Sequence, residues 1–145
     1  MSVPVGKRGH GKLEVLTKAI ELAEYTLTVC KNEDVFPKRE RWILTSRIVN
    51  EALDILTYVR KGNSIRVETQ NDFERRREYQ QRAFENCENL ITLMDLALRH
   101  GNLDARRAEH WTGLILELEG LLSAWRKSDQ DAWRRRKIDT PQGDQ

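Results

Sequence analysis

Glycine and proline are scarce, eight and three in 145 residues. A chain so low in turn residues and rich in Leu, Glu, Arg and Ala points to an all-helical fold. No apolar run approaches the roughly 20 residues that span a bilayer, which excludes a membrane-crossing helix and predicts a soluble chain. There are only two cysteines, Cys30 and Cys87, both at apolar positions of helical pattern. No stretch resembles a secretory signal, so a reduced, cytoplasmic setting is expected. Nor is there a large charge of one sign. The formal net charge is +2, so an anionic partner must be attracted by a local patch and not by the whole field.

Catalytic chemistry is also missing. There is no glycine-rich phosphate loop and no nucleophile elbow. His100 and His110 lie ten apart without the carboxylate of a zinc-binding helix. A diiron bundle requires Glu-x-x-His pairs, and Glu85, Glu88, Glu117 and Glu119 form none. The chain is therefore expected to be non-enzymatic, without metal or cofactor, and the cysteines to be small buried hydrophobes.

What remains is four amphipathic segments. The first stripe is Leu13, Leu16, Ile20, Ala23, Leu27 and Cys30. After Pro37, which suits a first helical turn, the second runs Trp42, Thr45, Val49, Ala52, Leu56 and Val59, widened by Ile48, Leu53 and Ile55. Gly62 and Asn63 either end this helix or weaken it. Thr69 with Asp72 resembles a capping arrangement for the third helix. Its stripe is Phe73, Gln80, Phe84, Cys87, Ile91, Met94 and Leu98, flanked by Leu90 and Ala97, and Gly101 stops it before a candidate cap at Asn102. The fourth stripe is Ala108, Trp111, Ile115, Leu118, Leu122 and Trp125.

Short connections between such segments predict an antiparallel up-down-up-down four-helix bundle over residues 12–128. Residues 1–11, with Pro4 and three glycines, are expected to form a flexible arm, and residues 129–145 a polar, basic tail. Trp42, Trp111 and Trp125 are expected in the core. Extra apolar residues such as Ile43, Leu44, Tyr58, Leu114 and Leu121 widen helices two and four, which favours a homo-oligomer.

In that topology one end collects fifteen lysines and arginines against seven carboxylates, while the other is nearly balanced. The candidate nucleic-acid or polymerase contacts are Arg60, Lys61, Arg66, Arg75, Arg76, Arg77, Arg126 and Lys127. The tail adds Arg134, Arg135, Arg136 and Lys137. A clustered basic surface on a near-neutral chain is the footprint of phosphate-backbone binding. Trp133 and Tyr79 do not amount to a stacking platform, so binding should be backbone-dominated and weakly sequence-specific. Arg75, Arg76 and Arg77 fan over about 200° of a helix and cannot form one contact. Arg76 and Arg77 straddle the core stripe, their stems covering its end while their guanidiniums reach outward. The competing reading is a protein-interaction bundle whose arginines only solubilise it.

Phe36-Pro37-Lys38 opening the second helix, Lys61-Gly62-Asn63 closing it, and Leu122 to Arg126 ending the fourth resemble the Avd family, the accessory variability determinants of diversity-generating retroelements. The chain is also similar to the four-helix-bundle family encoded in intervening sequences of large ribosomal RNA genes. The resemblance spans about Lys12 to Ser128. It implies a non-enzymatic bundle assembling as a homopentamer, and binding to a reverse transcriptase and to template RNA or an RNA/DNA hybrid in support of mutagenic retrohoming. These are packing and turn motifs, so the site residues remain chosen by charge.

Overall fold

The computed structural model describes the backbone of residues 3–139 and the side chains of residues 12–138. Four long helices carry the described chain: α1 (Val3–Lys31), α2 (Ser46–Ser64), α3 (Gln70–His100) and α4 (Ala105–Asp139). No strand occurs among the described residues. α2 packs on α1 and α3, and α4 packs on α1 and α3, around one apolar core. This all-helical arrangement fits a four-helix bundle. No helix among the described residues is long and apolar enough to cross a membrane.

Local chemistry accounts for the helix ends. Thr69 Oγ1 accepts from the Asp72 backbone N–H at 3.1 Å, and Asp72 Oδ2 accepts from the Thr69 N–H at 3.1 Å, closing a capping box. The backbone bonds from Glu68 and Thr69 hold the Asp72 carboxyl below its usual range. Gly101 adopts φ 93°, the left-handed conformation that ends α3, and the Asn102 N–H reaches back to the Ala97 carbonyl at 3.0 Å. The cap of α4 is Asp104 and not Asn102: Asp104 Oδ1 accepts from the Arg107 N–H at 2.9 Å. Asn102 Nδ2 instead donates to the Val35 carbonyl at 3.2 Å and to Glu40, tying two loops together.

The fourth stripe is buried as expected, with Trp111, Ile115, Leu118 and Leu122 fully enclosed. Each such side chain contributes about 1.5–3 kcal/mol of transfer free energy. Trp111 Nε1 donates to Thr26 Oγ1 at 3.0 Å, and the buried Thr26 hydroxyl donates to the Leu22 carbonyl at 2.8 Å. Cys30 and Cys87 are both buried free thiols, and burial pushes the Cys30 thiol up to about 12.

Three stripes need correction. In α1 the buried residues are Val15, Ala19, Leu22, Ala23, Thr26, Val29 and Cys30; of the expected stripe Ala23 and Cys30 lie in the core, while Leu13, Ile20 and Leu27 remain 63%, 50% and 40% exposed. The helix carries two adjacent apolar stripes, and its buried face draws on both. In α2 the core residues are Ile48, Ala52, Ile55, Val59 and Gly62. A single π-helical turn, Arg41–Thr45, precedes them and breaks the register. Trp42 consequently stands 81% exposed, outside the core expected for it. In α3 the buried line adds Arg76 and Ala83 to the expected Gln80, Cys87, Leu90, Met94 and Ala97, and Leu98 lies outside it.

Both ends of the expected bundle also extend. The backbone is helical from Val3, through most of the segment expected to be an arm; three glycines cost about 1 kcal/mol each without forbidding a helix. The side chains of Lys7 and Arg8 lie outside those described. α4 does not stop at Ser128 but runs to Asp139, and residues 140–145 lie outside the described chain.

Candidate nucleic-acid interface

The continuation of α4 builds the site. Gly62 does not end α2 but lies closely packed in its last turn: a Cβ there would meet Trp125 Cη2 at 3.2 Å and Tyr79 Cβ at 3.4 Å. The absent side chain lets Trp125 approach the α2–α3 junction. Arg76 enters from α3, buried, and its guanidinium lies 5.9 Å from the Trp125 ring. Its Nε donates to the Gly62 carbonyl at 3.2 Å, Nη2 donates to the Ile65 carbonyl, and Nη1 donates to Asp129 Oδ1 at 3.0 Å. Gln80 Nε2 occupies the other carboxylate oxygen at 2.9 Å. Half-buried Lys12 of α1 completes the junction; its pKa falls through desolvation and then the repulsion of Arg76, partly offset by Asp129.

Arg76 is therefore not a surface contact. Every nitrogen of its guanidinium is committed inward, where an unpaired charge would cost several kcal/mol. It joins α2, α3 and α4. The expectation that its guanidinium reaches solvent fails because Asp129, assigned to a tail, is a helical residue facing it.

The remaining predicted contacts surround this junction. Arg60, Lys61, Arg66, Arg75 and Lys127 are exposed. Arg66 Nε lies 3.3 Å from Glu68 Oε1, a solvated pair of little energetic weight. Arg134, Arg135, Arg136 and Lys137 are exposed on helical backbone, so they fan around α4 as Arg75 to Arg77 fan around α3. Arg134 Nη1 is 3.8 Å from Asp131, and Arg136 Nη1 donates to the Val67 carbonyl at 2.8 Å. The run is not one continuous contact.

Arg77 and Arg126 are half-buried where α3 meets α4. Arg77 lies over the Phe73 ring at 6.0 Å. Burial, and then the charge of Arg77, hold the Arg126 pKa below its ordinary value. Arg126 Nε is buried and meets no acceptor among the described residues. Two half-buried guanidiniums whose charges repel are chemically suited to an anion with several acceptor oxygens.

Aromatic pairs missed by the sequence reading flank these cations. Phe73 and Trp133 stack at 5.5 Å and 10°, Trp133 Nε1 donates to Gln70 Oε1 at 2.7 Å, and Arg136 covers Trp133 at 5.5 Å. Tyr58 of α2 stacks on Tyr79 of α3 at 6.1 Å and 24°. Sequence spacing could pair neither, since the partners sit on different helices.

Further along the same α3–α4 seam, burial and then the neighbouring Glu88 carboxyl raise Glu119 to about 7. No group of three or more His, Cys, Asp or Glu with metal-holding geometry occurs among the described residues. No family model matches the chain, and no curated protein matches it.

Proposed function

We propose that the chain is a non-enzymatic accessory protein that binds RNA or an RNA/DNA hybrid through one basic end of an antiparallel up-down-up-down bundle. Its second partner is the reverse transcriptase that copies that nucleic acid. The observation that carries this reading is the half-buried Arg77 and Arg126, whose like charges repel at the centre of the basic end. A phosphate at this surface supplies the negative charge that the two guanidiniums lack. The exposed Arg60, Lys61, Arg75 and Lys127 extend the positive surface around it. The retroelement part of the reading rests on the resemblance of Phe36-Pro37-Lys38, Lys61-Gly62-Asn63 and Leu122 to Arg126.

The test is titration of an RNA duplex into the wild-type chain and into an Arg77→Gln/Arg126→Gln variant. Loss of two phosphate contacts lowers the slope of log affinity against log salt by about 1.5–2. Identical slopes and affinities would remove the pair from the interface.

A second reading, self-association without nucleic-acid contact, is favoured by a different observation. Leu13, Ile20 and Leu27 form an exposed stripe with a period of seven. Beside it runs an open groove of about 600 Å³ lined by Leu13, Thr17, Lys18, Glu117, Gly120 and Leu121. The mass of the protein in solution tests this, because Ile20→Lys with Leu27→Lys should then yield a monomer.

A further inference from the structure

The Tyr58–Tyr79 pair has a construction that phosphate binding alone leaves unused. The two rings bridge α2 and α3 and are only half-buried, so they form a surface column and not a core contact. Lys61 Nζ lies 5.8 Å from the Tyr79 ring centroid, and the Arg82 guanidinium lies 5.8 Å from that of Tyr58. Both cations are exposed, as is Arg75, one turn before Tyr79 on the same face of α3. Arg82 also pairs with Glu78 at 2.8 Å, with both side chains more than half exposed. Such a solvated pair is readily exchanged for a phosphate.

Aromatic rings flanked by exposed cations meet the two requirements of unpaired nucleic acid: a flat apolar surface for a base and positive charge for the neighbouring phosphates. Duplex RNA cannot use the rings, because its bases are already stacked and its accessible minor groove presents 2′-hydroxyls and base edges but no base faces. We propose that the Tyr58–Tyr79 column is a stacking subsite for a single-stranded RNA segment, with Lys61, Arg75 and Arg82 holding the phosphates on either side. An arriving base displaces Lys61 or continues the column beyond the Arg82 guanidinium, whose plane also stacks on bases. This inference rests on the RNA-binding reading above and adds a preference for unpaired strands.

The experiment compares oligouridylate, whose bases stack little on one another, with an RNA duplex of equal length. Both are titrated into the full chain and into its Tyr79→Leu and Tyr79→Phe variants, with helicity checked by circular dichroism. Tyr79→Leu should weaken oligouridylate binding by about tenfold while leaving duplex affinity unchanged, and Tyr79→Phe should retain wild-type affinity for both. Equal losses on both RNAs, or no loss on either, would overturn the stacking subsite while leaving phosphate binding intact. Binding of neither RNA by the wild type at low salt would overturn the RNA reading itself, and the subsite with it.

Discussion

Arg76 Nη1 lies 3.0 Å from Asp129 Oδ1, the two side chains being 8% and 17% exposed. This link between α3 and α4 makes the basic end a fixed structure and separates the arginine that builds it from those that surround it. Removing one partner leaves a charge with little solvent access. Asp129→Leu and Arg76→Met should each cost about 3–5 kcal/mol, whereas the double variant should recover most of that loss. Urea unfolding of the four proteins in this cycle measures the coupling directly.

The stack of Trp133 on Phe73 ties the last turns of α4 to the start of α3. Trp133→Ala should destabilise the chain by at least about 1 kcal/mol, through the lost ring contact and the lost bond to Gln70. Thermal unfolding would show this as a lower midpoint. An unchanged midpoint would mean that this part of α4 behaves as a tail.

Trp42 and Trp111 should respond in opposite ways. Trp42 is 81% exposed and Trp111 is fully buried with its N–H bonded to Thr26. Trp42→Ser should change unfolding free energy by no more than about 0.5 kcal/mol, and Trp111→Ala should lower it by about 3–5 kcal/mol.

The Glu88–Glu119 contact makes stability depend on pH. Burial and the neighbouring carboxyl raise Glu119 to about 7, so the folded chain binds its proton more tightly than the unfolded chain does. The resulting stabilisation is fully present below the ordinary glutamate range and is lost as pH rises through about 7. The unfolding midpoint should fall between pH 5 and pH 8, and Glu119→Gln should flatten that fall.

The sequence made the four helices legible because their apolar spacing and two of their end signals, Thr69–Asp72 and Gly101, are local. Which stripe faces the core was less legible. In α1 two stripes compete, and the buried face takes Val15, Ala19 and Leu22 from one and Ala23 and Cys30 from the other. In α2 the π-helical turn shifts the phase in a way no fixed period anticipates. At the candidate site, the charges could be counted along the chain but their partners could not. Asp129 reads as a tail residue until α4 is seen to continue, and only then does Arg76 become a buried joint. Tyr58 and Tyr79 likewise become a pair only when α2 and α3 are side by side.

The central claim is that the basic end binds a phosphate backbone. The most direct test is the affinity of the wild-type chain for RNA measured over a series of salt concentrations. The account predicts binding at low salt whose logarithm falls linearly and steeply with the logarithm of salt concentration, by close to one unit of slope for each phosphate neutralised. Absence of binding at low salt, or an affinity indifferent to salt, would contradict it.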